Sequence, residues 1–217
     1  MDLIDVIAAI LAGYLLGALP FAVIVAKRLG VDIFKKGSGN PGATNVTRVC
    51  GKGPGNLVFF LDFLKGFIAA TWVRLDFIGT DPSHQALLSV LGLGAAVIGH
   101  SFSIFIKFRG GKGVATTVGG IFGIMPIVML AGITVWLATY FSKKIVSLAS
   151  IALAISLPIW ALFFDAIQLH EIQPPEYIFV TLIAILVVVR HKSNILKIIQ
   201  GSEGSFDKAE KKNSIKK

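Results

Sequence analysis

A single cysteine, Cys50, stands in 217 residues, so no disulfide can form within the chain. Charge is scarce too. Asp, Glu, Lys and Arg make up 15% of the residues, against 54% hydrophobic residues and a mean hydropathy of +0.78. An ordinary soluble domain carries about 25% charged residues, so this composition excludes one. Two catalytic signatures are missing as well. The phosphate loop of nucleotide hydrolases needs Gly six residues before its Lys and Ser or Thr after it; around Lys112 those places hold Ile106 and Gly113, and around Lys52 they hold Val46 and Gly53. ATP hydrolysis is therefore disfavoured. The residues five after the four histidines are Ser89, Phe105, Pro175 and Leu196, so no His-x-x-x-x-Asp dyad exists. No internal repeat and no nucleic-acid-binding signature is present, and no metal cluster or cofactor motif is expected.

What the chain has instead is long apolar runs. Candidate membrane spans cover 3–26, 56–75, 84–106, 145–164 and 177–190. The first is too long for the apolar stretch of a signal peptide and reads as a retained span. The stretch 114–141 has 28 residues, about 42 Å as one helix at ~1.5 Å per residue. That is long for one crossing and short for two.

The basic residues decide the parity. Lys and Arg number six in 27–55, three in 107–112, two in 143–144 and eight in 190–217, with Lys65 and Arg74 left over. The segments 76–83 and 165–176 carry acids but no Lys or Arg. Basic clusters mark the cytoplasmic side. All four share it only if 114–141 forms two short helices, turning near Gly119, Gly120, Gly123 and Pro126. The expected fold is all-α, with seven transmembrane helices, the N-terminus outside and the C-terminus inside. Residues 1–204 form one polytopic domain, and 205–217 a disordered basic cytoplasmic tail. Gly92-x-x-x-Ala96 and Ala95-x-x-x-Gly99 suit close helix packing. Pro20 and Pro158 are expected to kink their helices, and Asp62 with Lys65 to form an intramembrane ion pair.

Three polar loops then fall on one side. The first, KGSGNPGATNVTR from Lys36 to Arg48, has Pro41-Gly42 suited to a type II turn. Ser38, Thr44 or Asn45 is expected to cap the helical turn that follows, with Arg48 one turn beyond Thr44. The second runs from GHSF at Gly99 to Lys112 and Gly113. Gly110, Gly111 and Gly113 let the backbone curl close to an anion, and a helix starting at Val114 offers its N-terminal amides. The third, RHKSNILKIIQGSE from Arg190, puts His191 and Asn194 on one helix face. Together they assemble cations, glycine turns and two histidines at the edge of an apolar bundle, as recognition of phosphate groups at a bilayer surface requires. A transporter of organic phosphate shares the cationic loops, but it also needs a polar path through the spans. The spans offer almost none beyond Asp62 and Lys65.

At these residues the chain resembles the bacterial acyl-phosphate-dependent glycerol-3-phosphate acyltransferases, the PlsY family. The matching pieces are S-G-N-P-G-A-T-N-x-x-R at 38–48, G-H-x-F-x-x-F-x-x-F-R-G-G-K-G-V-A at 99–115 and R-H-x-x-N-I-x-x-I-x-x-G-x-E at 190–203. LDFLKG at 61–66 is also similar, and the tail after Ser205 is longer than the family's. The resemblance implies a seven-helix protein of the bacterial cytoplasmic membrane with its active site facing the cytoplasm. It implies acyl transfer from acyl phosphate, not acyl-CoA or acyl carrier protein, to the 1-hydroxyl of glycerol 3-phosphate, giving lysophosphatidic acid. No cofactor is implied. The substrates, membrane lipid and an acyl-phosphate-forming acyltransferase are the implied partners. By resemblance Ser38, Arg48, His191 and Asn194 are catalytic, and Glu203 is structural. Lys112, Gly110, Gly111 and Gly113 bind phosphate, joined by Thr44, Asn45 and His100. The proton acceptor is either His191 or a phosphate oxygen of the substrate, the second being favoured.

Overall fold

The computed structural model describes residues 2–75 and 81–203. Asp76 and the basic tail 205–217 lie outside the described residues. Among the described residues the secondary structure is entirely helical. The α-helices are α1 (Leu3–Ala18), α2 (Phe21–Arg28), α3 (Ala43–Cys50), α4 (Lys52–Thr71), α5 (Pro82–Ser101), α6 (Val114–Ile124), α7 (Pro126–Lys143), α8 (Val146–Ala166), α9 (Pro174–Arg190) and α10 (Lys192–Ile199). Five apolar segments are long enough to cross a bilayer: Leu3–Arg28, Lys52–Arg74, His84–Ile106, Pro126–Lys143 and Val146–Ala166. A sixth comes from α9 with α10, which meet at a bend of 58°.

The stretch 114–141 does split in two. The break falls at Met125 (φ −135°, ψ 67°), with Pro126 opening α7. Proline supplies no N–H and pushes the residue before it out of helical geometry. The glycines do not make the turn. Gly119, Gly120 and Gly123 lie inside α6, where added Cβ atoms would meet Phe63, Leu93 and Thr71. They bring α6 against α4 and α5. With 11 residues, α6 is about 16 Å long, roughly half of a ~30 Å hydrocarbon core.

Pro20 breaks its helix outright, separating α1 from α2, whereas Pro158 sits inside an unbroken α8. The break leaves carbonyls without helical partners. Ser103 Oγ donates to Ala18 O at 2.6 Å, and Lys65 Nζ to Leu19 O at 3.0 Å. Small residues close the α1–α5 contact as expected: Cβ atoms on Gly13 and Gly99 would lie 2.2 Å from Gly92 O and 2.3 Å from Tyr14 O. The main core joins α4 to α9 through Leu93, Val97, Ile121, Met129, Leu157 and Val180. A smaller one, with Ala26, Ile33, Val46 and Val58, ties α2 and α3 to α4. Outside, Ile4, Phe60, Ile159 and Leu182 are each more than half exposed. That surface suits lipid and would be a liability in water.

Candidate active site

The first loop is organised by Asn45, which is 1% exposed. Its Oδ1 accepts the Ser38 N–H at 2.8 Å, and its Nδ2 donates to Lys36 O at 3.0 Å and Ile33 O at 3.3 Å. Every polar atom of Asn45 is spent on this loop. These bonds make Asn45 the residue that shapes the first loop. The expected caps are corrected. The N-cap of α3 is Gly42, with no side-chain cap, and its φ of −143° is extended. Pro41-Gly42 is thus no type II turn, because the Gly42 N–H bonds Asn40 O instead. Ser38 and Thr44 are exposed, and among the described residues neither side chain bonds to the second or third loop.

The second loop begins where α5 ends. Lys107 and Phe108 both have φ 57°, so two consecutive side-chain-bearing residues are left-handed, at roughly 1 kcal/mol or more each. The chain then lies down on His100. The Gly111 N–H donates to His100 O at 3.2 Å, and a Cβ on Gly111 would sit 2.2 Å from His100 Nε2. Gly113, at φ +81°, is the N-cap of α6. Only glycine takes that backbone angle without strain. The sequence reading put His100 in contact with phosphate. In the structure it is the loop's floor, buried and with Nδ1 3.5 Å from Asp62 Oδ1.

The third loop closes over the second. Arg190 donates to Gly111 O at 2.7 Å. Lys112 Nζ donates to Asn194 Oδ1. Asn194 Nδ2 donates to Glu203 Oε1 at 2.6 Å, and Ser147 Oγ reaches the same oxygen at 2.8 Å. Asn194 thus stands between a cation and a carboxylate, serving each with the matching end of its amide. His191 is 3% exposed and its Nδ1 bonds Val187 O at 2.8 Å. A carbonyl only accepts, so Nδ1 carries a proton and only Nε2 is left for chemistry. Sequence reasoning missed Ser147, one of three serines in an apolar helix, with its partner 56 residues away.

Cations outnumber anions here. The Lys112 ammonium is held down to about 8, from an ordinary 10.5. Burial is the first cause. Glu203 opposes it, while the positive charges of Lys197, Arg190 and Arg48 add to it. Beside this cluster a cleft of about 250 Å³ opens between the first and second loops, lined by Asn40, Pro41, Phe102, Arg109 and Arg190 among others. The Arg109 guanidinium lies 4.0 Å from the Phe34 ring centre and that of Arg190 5.0 Å from Phe102, which holds both at the rim.

Fold and site together define a multi-pass helical membrane protein whose polar loops gather a surplus of positive charge around glycine turns. The family model for glycerol-3-phosphate acyltransferase matches residues 7–201. The chain is 43% identical to the glycerol-3-phosphate acyltransferase of Aquifex aeolicus, over 91% of this chain and 97% of the relative. It is 41% identical to that of Neisseria meningitidis, over 92% and 96%. Among solved structures it is similar to the integral membrane glycerol 3-phosphate acyltransferase PlsY in its glycerol 3-phosphate form. There the TM-score is 0.81 at 39% identity, covering 92% of this chain and 94% of that one. The lysophosphatidic acid form of PlsY aligns with a TM-score of 0.79. The chain belongs to the glycerol-3-phosphate acyltransferase family.

Proposed function

We propose that this protein transfers a fatty acyl group from acyl phosphate to the 1-hydroxyl of glycerol 3-phosphate, forming lysophosphatidic acid. The observation that carries the reading is the Lys112–Asn194–Glu203 chain: a glycine-loop ammonium bonded to a neutral amide, depressed first by burial and then by neighbouring cations that include Arg190 and Arg48. Such a site has spare positive charge for a phosphoryl group. The family membership and the likeness to PlsY support the acceptor.

Acyl phosphate is a mixed anhydride with phosphate as its leaving group. The acceptor oxygen attacks the carbonyl carbon, the carbon–oxygen bond to phosphorus breaks, and the hydroxyl proton leaves on the released phosphate. This route asks for two held phosphoryl groups and donors for the developing oxyanion, not for a strong protein base. Gly110, Gly111, Lys112 and Gly113 receive the acceptor phosphate. Ser38, Arg48, His191 and Asn194 serve the reacting centre, with Thr44 at its edge. His191, buried and with Nδ1 engaged, positions rather than deprotonates. The missing His-x-x-x-x-Asp dyad argues against acyl-CoA as the direct donor.

The reading includes seven membrane segments with α6 as the short one, the N-terminus outside, and the basic clusters and active site facing the cytoplasm of a bacterial inner membrane. The contacts between Ser147 and Glu203, and between Lys112 and Asn194, support a shared side for loops from three parts of the chain. Residues 1–204 act as one domain. An acyl-phosphate-forming acyltransferase supplies the donor. The test is purified protein with acyl phosphate and labelled glycerol 3-phosphate. Labelled lysophosphatidic acid is expected, and none with acyl-CoA alone. Turnover with acyl-CoA in the absence of any acyl-phosphate-forming enzyme contradicts the donor assignment. A cysteine placed at Ser142 that labels from outside intact cells contradicts the topology.

A further inference from the structure

Asp62 and Lys65 lie inside the second span, outside the three polar loops, and each is 2% exposed. Burying an ion pair in a membrane helix is costly, and for packing alone apolar side chains do as well or better. Lys65 has a local reason to be there: besides Asp62 Oδ1 at 2.8 Å it satisfies the Leu19 carbonyl freed by the Pro20 break. Asp62 does more than neutralise Lys65. The same Oδ1 faces His100 Nδ1 at 3.5 Å.

His100 in turn carries the second loop. Its carbonyl takes the Gly111 N–H, its Nε2 fills the space a Gly111 side chain would need, and its carbonyl lies 2.1 Å from where a Gly110 Cβ would stand. From the other side Arg190 holds the Gly111 carbonyl. The Gly111 peptide is thus pinned at both ends, and Lys112 follows directly. A small cavity of about 10 Å³ marks where the parts meet, between Pro20, Pro41, Asp62, His100, Gly110 and Gly111.

We propose that Asp62 is a positioning residue for the acceptor: through His100 it fixes the Gly110–Gly111 bend, so that Lys112 meets the glycerol 3-phosphate phosphate. This rests on the reading that the loop binds that phosphate. Misplacing a binding loop by about an ångström costs on the order of a hundredfold. Asp62 shares no bond with substrate in this scheme, so its loss acts on the acceptor and not on the donor.

The experiment compares wild type, Asp62→Asn/Lys65→Gln and Lys112→Ala, purified in detergent and matched by gel filtration and thermal melting, varying each substrate separately. The double variant removes both charges and leaves none buried alone. It is expected to raise KM for glycerol 3-phosphate about ten- to a hundredfold, with KM for acyl phosphate within about twofold. Asp62→Glu, which keeps the charge facing His100, is expected to recover most of the loss. A folded double variant with normal acceptor kinetics, beside an impaired Lys112→Ala, overturns the inference and leaves the phosphate reading intact. Normal acceptor kinetics in Lys112→Ala overturns both.

A second measurement covers misfolding of the charge variants. His100→Ala and Gly111→Ala are combined in a double-mutant cycle. Removing the ring opens the space that the new methyl needs, so the pair is expected to lose at least about tenfold less in kcat/KM than the product of the single losses. Multiplicative losses would mean that His100 does not set the loop, and they refute the proposal.

Discussion

Two clusters built on basic side chains stand at opposite ends of α9, and they are finished differently. At its start, Arg74 is matched by its own chain: the guanidinium meets Glu176 Oε1 at 3.2 Å and Ser89 Oγ at 3.1 Å, while Glu176 Oε2 takes the Gln173 N–H. Beyond its end, Lys112 bonds a neutral amide, and the carboxylate of Glu203 is engaged by Asn194 and Ser147. Among the described residues, Arg48, Arg190 and Lys197 add positive charge with only Glu203 acting against it. A charge kept for structure is neutralised within the chain. A charge kept for a ligand is left short of anions; Lys112 is depressed first by its burial and further by the cations around it.

The largest effect should come from removing the unmatched charge. Lys112→Ala is expected to lower kcat/KM for glycerol 3-phosphate by about 30- to several-thousand-fold, the equivalent of roughly 2–5 kcal/mol. Steady-state kinetics with each substrate varied in turn measures it.

Making the site end resemble the Arg74 end should be the next most damaging change. Asn194→Asp gives Lys112 a carboxylate of its own and sets a second negative charge beside Glu203. A fall of about ten- to a hundredfold in kcat/KM for the acceptor is expected, with the Lys112 ammonium raised toward its ordinary value. Unchanged acceptor kinetics would mean that charge surplus at this end is incidental.

The pH profile sharpens the same contrast. Lys112 is depressed to about 8, so the free enzyme holds the cation below that pH and loses it above. On this account kcat/KM for glycerol 3-phosphate falls about tenfold per unit above pH 8. Lys112→Arg should carry no such limb, because guanidinium stays charged. A limb that survives in Lys112→Arg belongs to another group.

The smallest kinetic effect belongs to the matched end. Arg74→Met leaves Glu176 with less to bond. It should lower stability by about 1–3 kcal/mol, read as a lower melting temperature, with kinetic constants near those of wild type. Lys107→Ala, at an exposed position before the glycine turn, should change acceptor kinetics little as well.

Much of the architecture was legible because a bilayer writes in long apolar runs. The runs at 84–106 and 145–164 match His84–Ile106 and Val146–Ala166 closely, and Pro126 divides 114–141 for a local reason. The Asp62–Lys65 pair was readable from its three-residue spacing. What could not be read depended on distant partners. Nothing near Ser103 says that its hydroxyl serves Ala18, 85 residues away, nor near Ser147 that it serves Glu203. Asn45 has a residue type that suits a cap or an anion contact equally. Only the folded loop spends it on Ser38, Lys36 and Ile33. The resemblance set His100 among the phosphate-binding residues, and the folded chain puts it beneath the glycine loop, with its carbonyl taking the Gly111 N–H.

The central claim is that the surplus charge at Lys112 exists to receive the acceptor's phosphate. Equilibrium binding of labelled glycerol 3-phosphate to purified protein, with no acyl donor present, tests it most directly in wild type and Lys112→Gln. The account predicts saturable binding to wild type that inorganic phosphate competes away, and binding to folded Lys112→Gln weakened at least about 30-fold. Equal binding by the two proteins would contradict it.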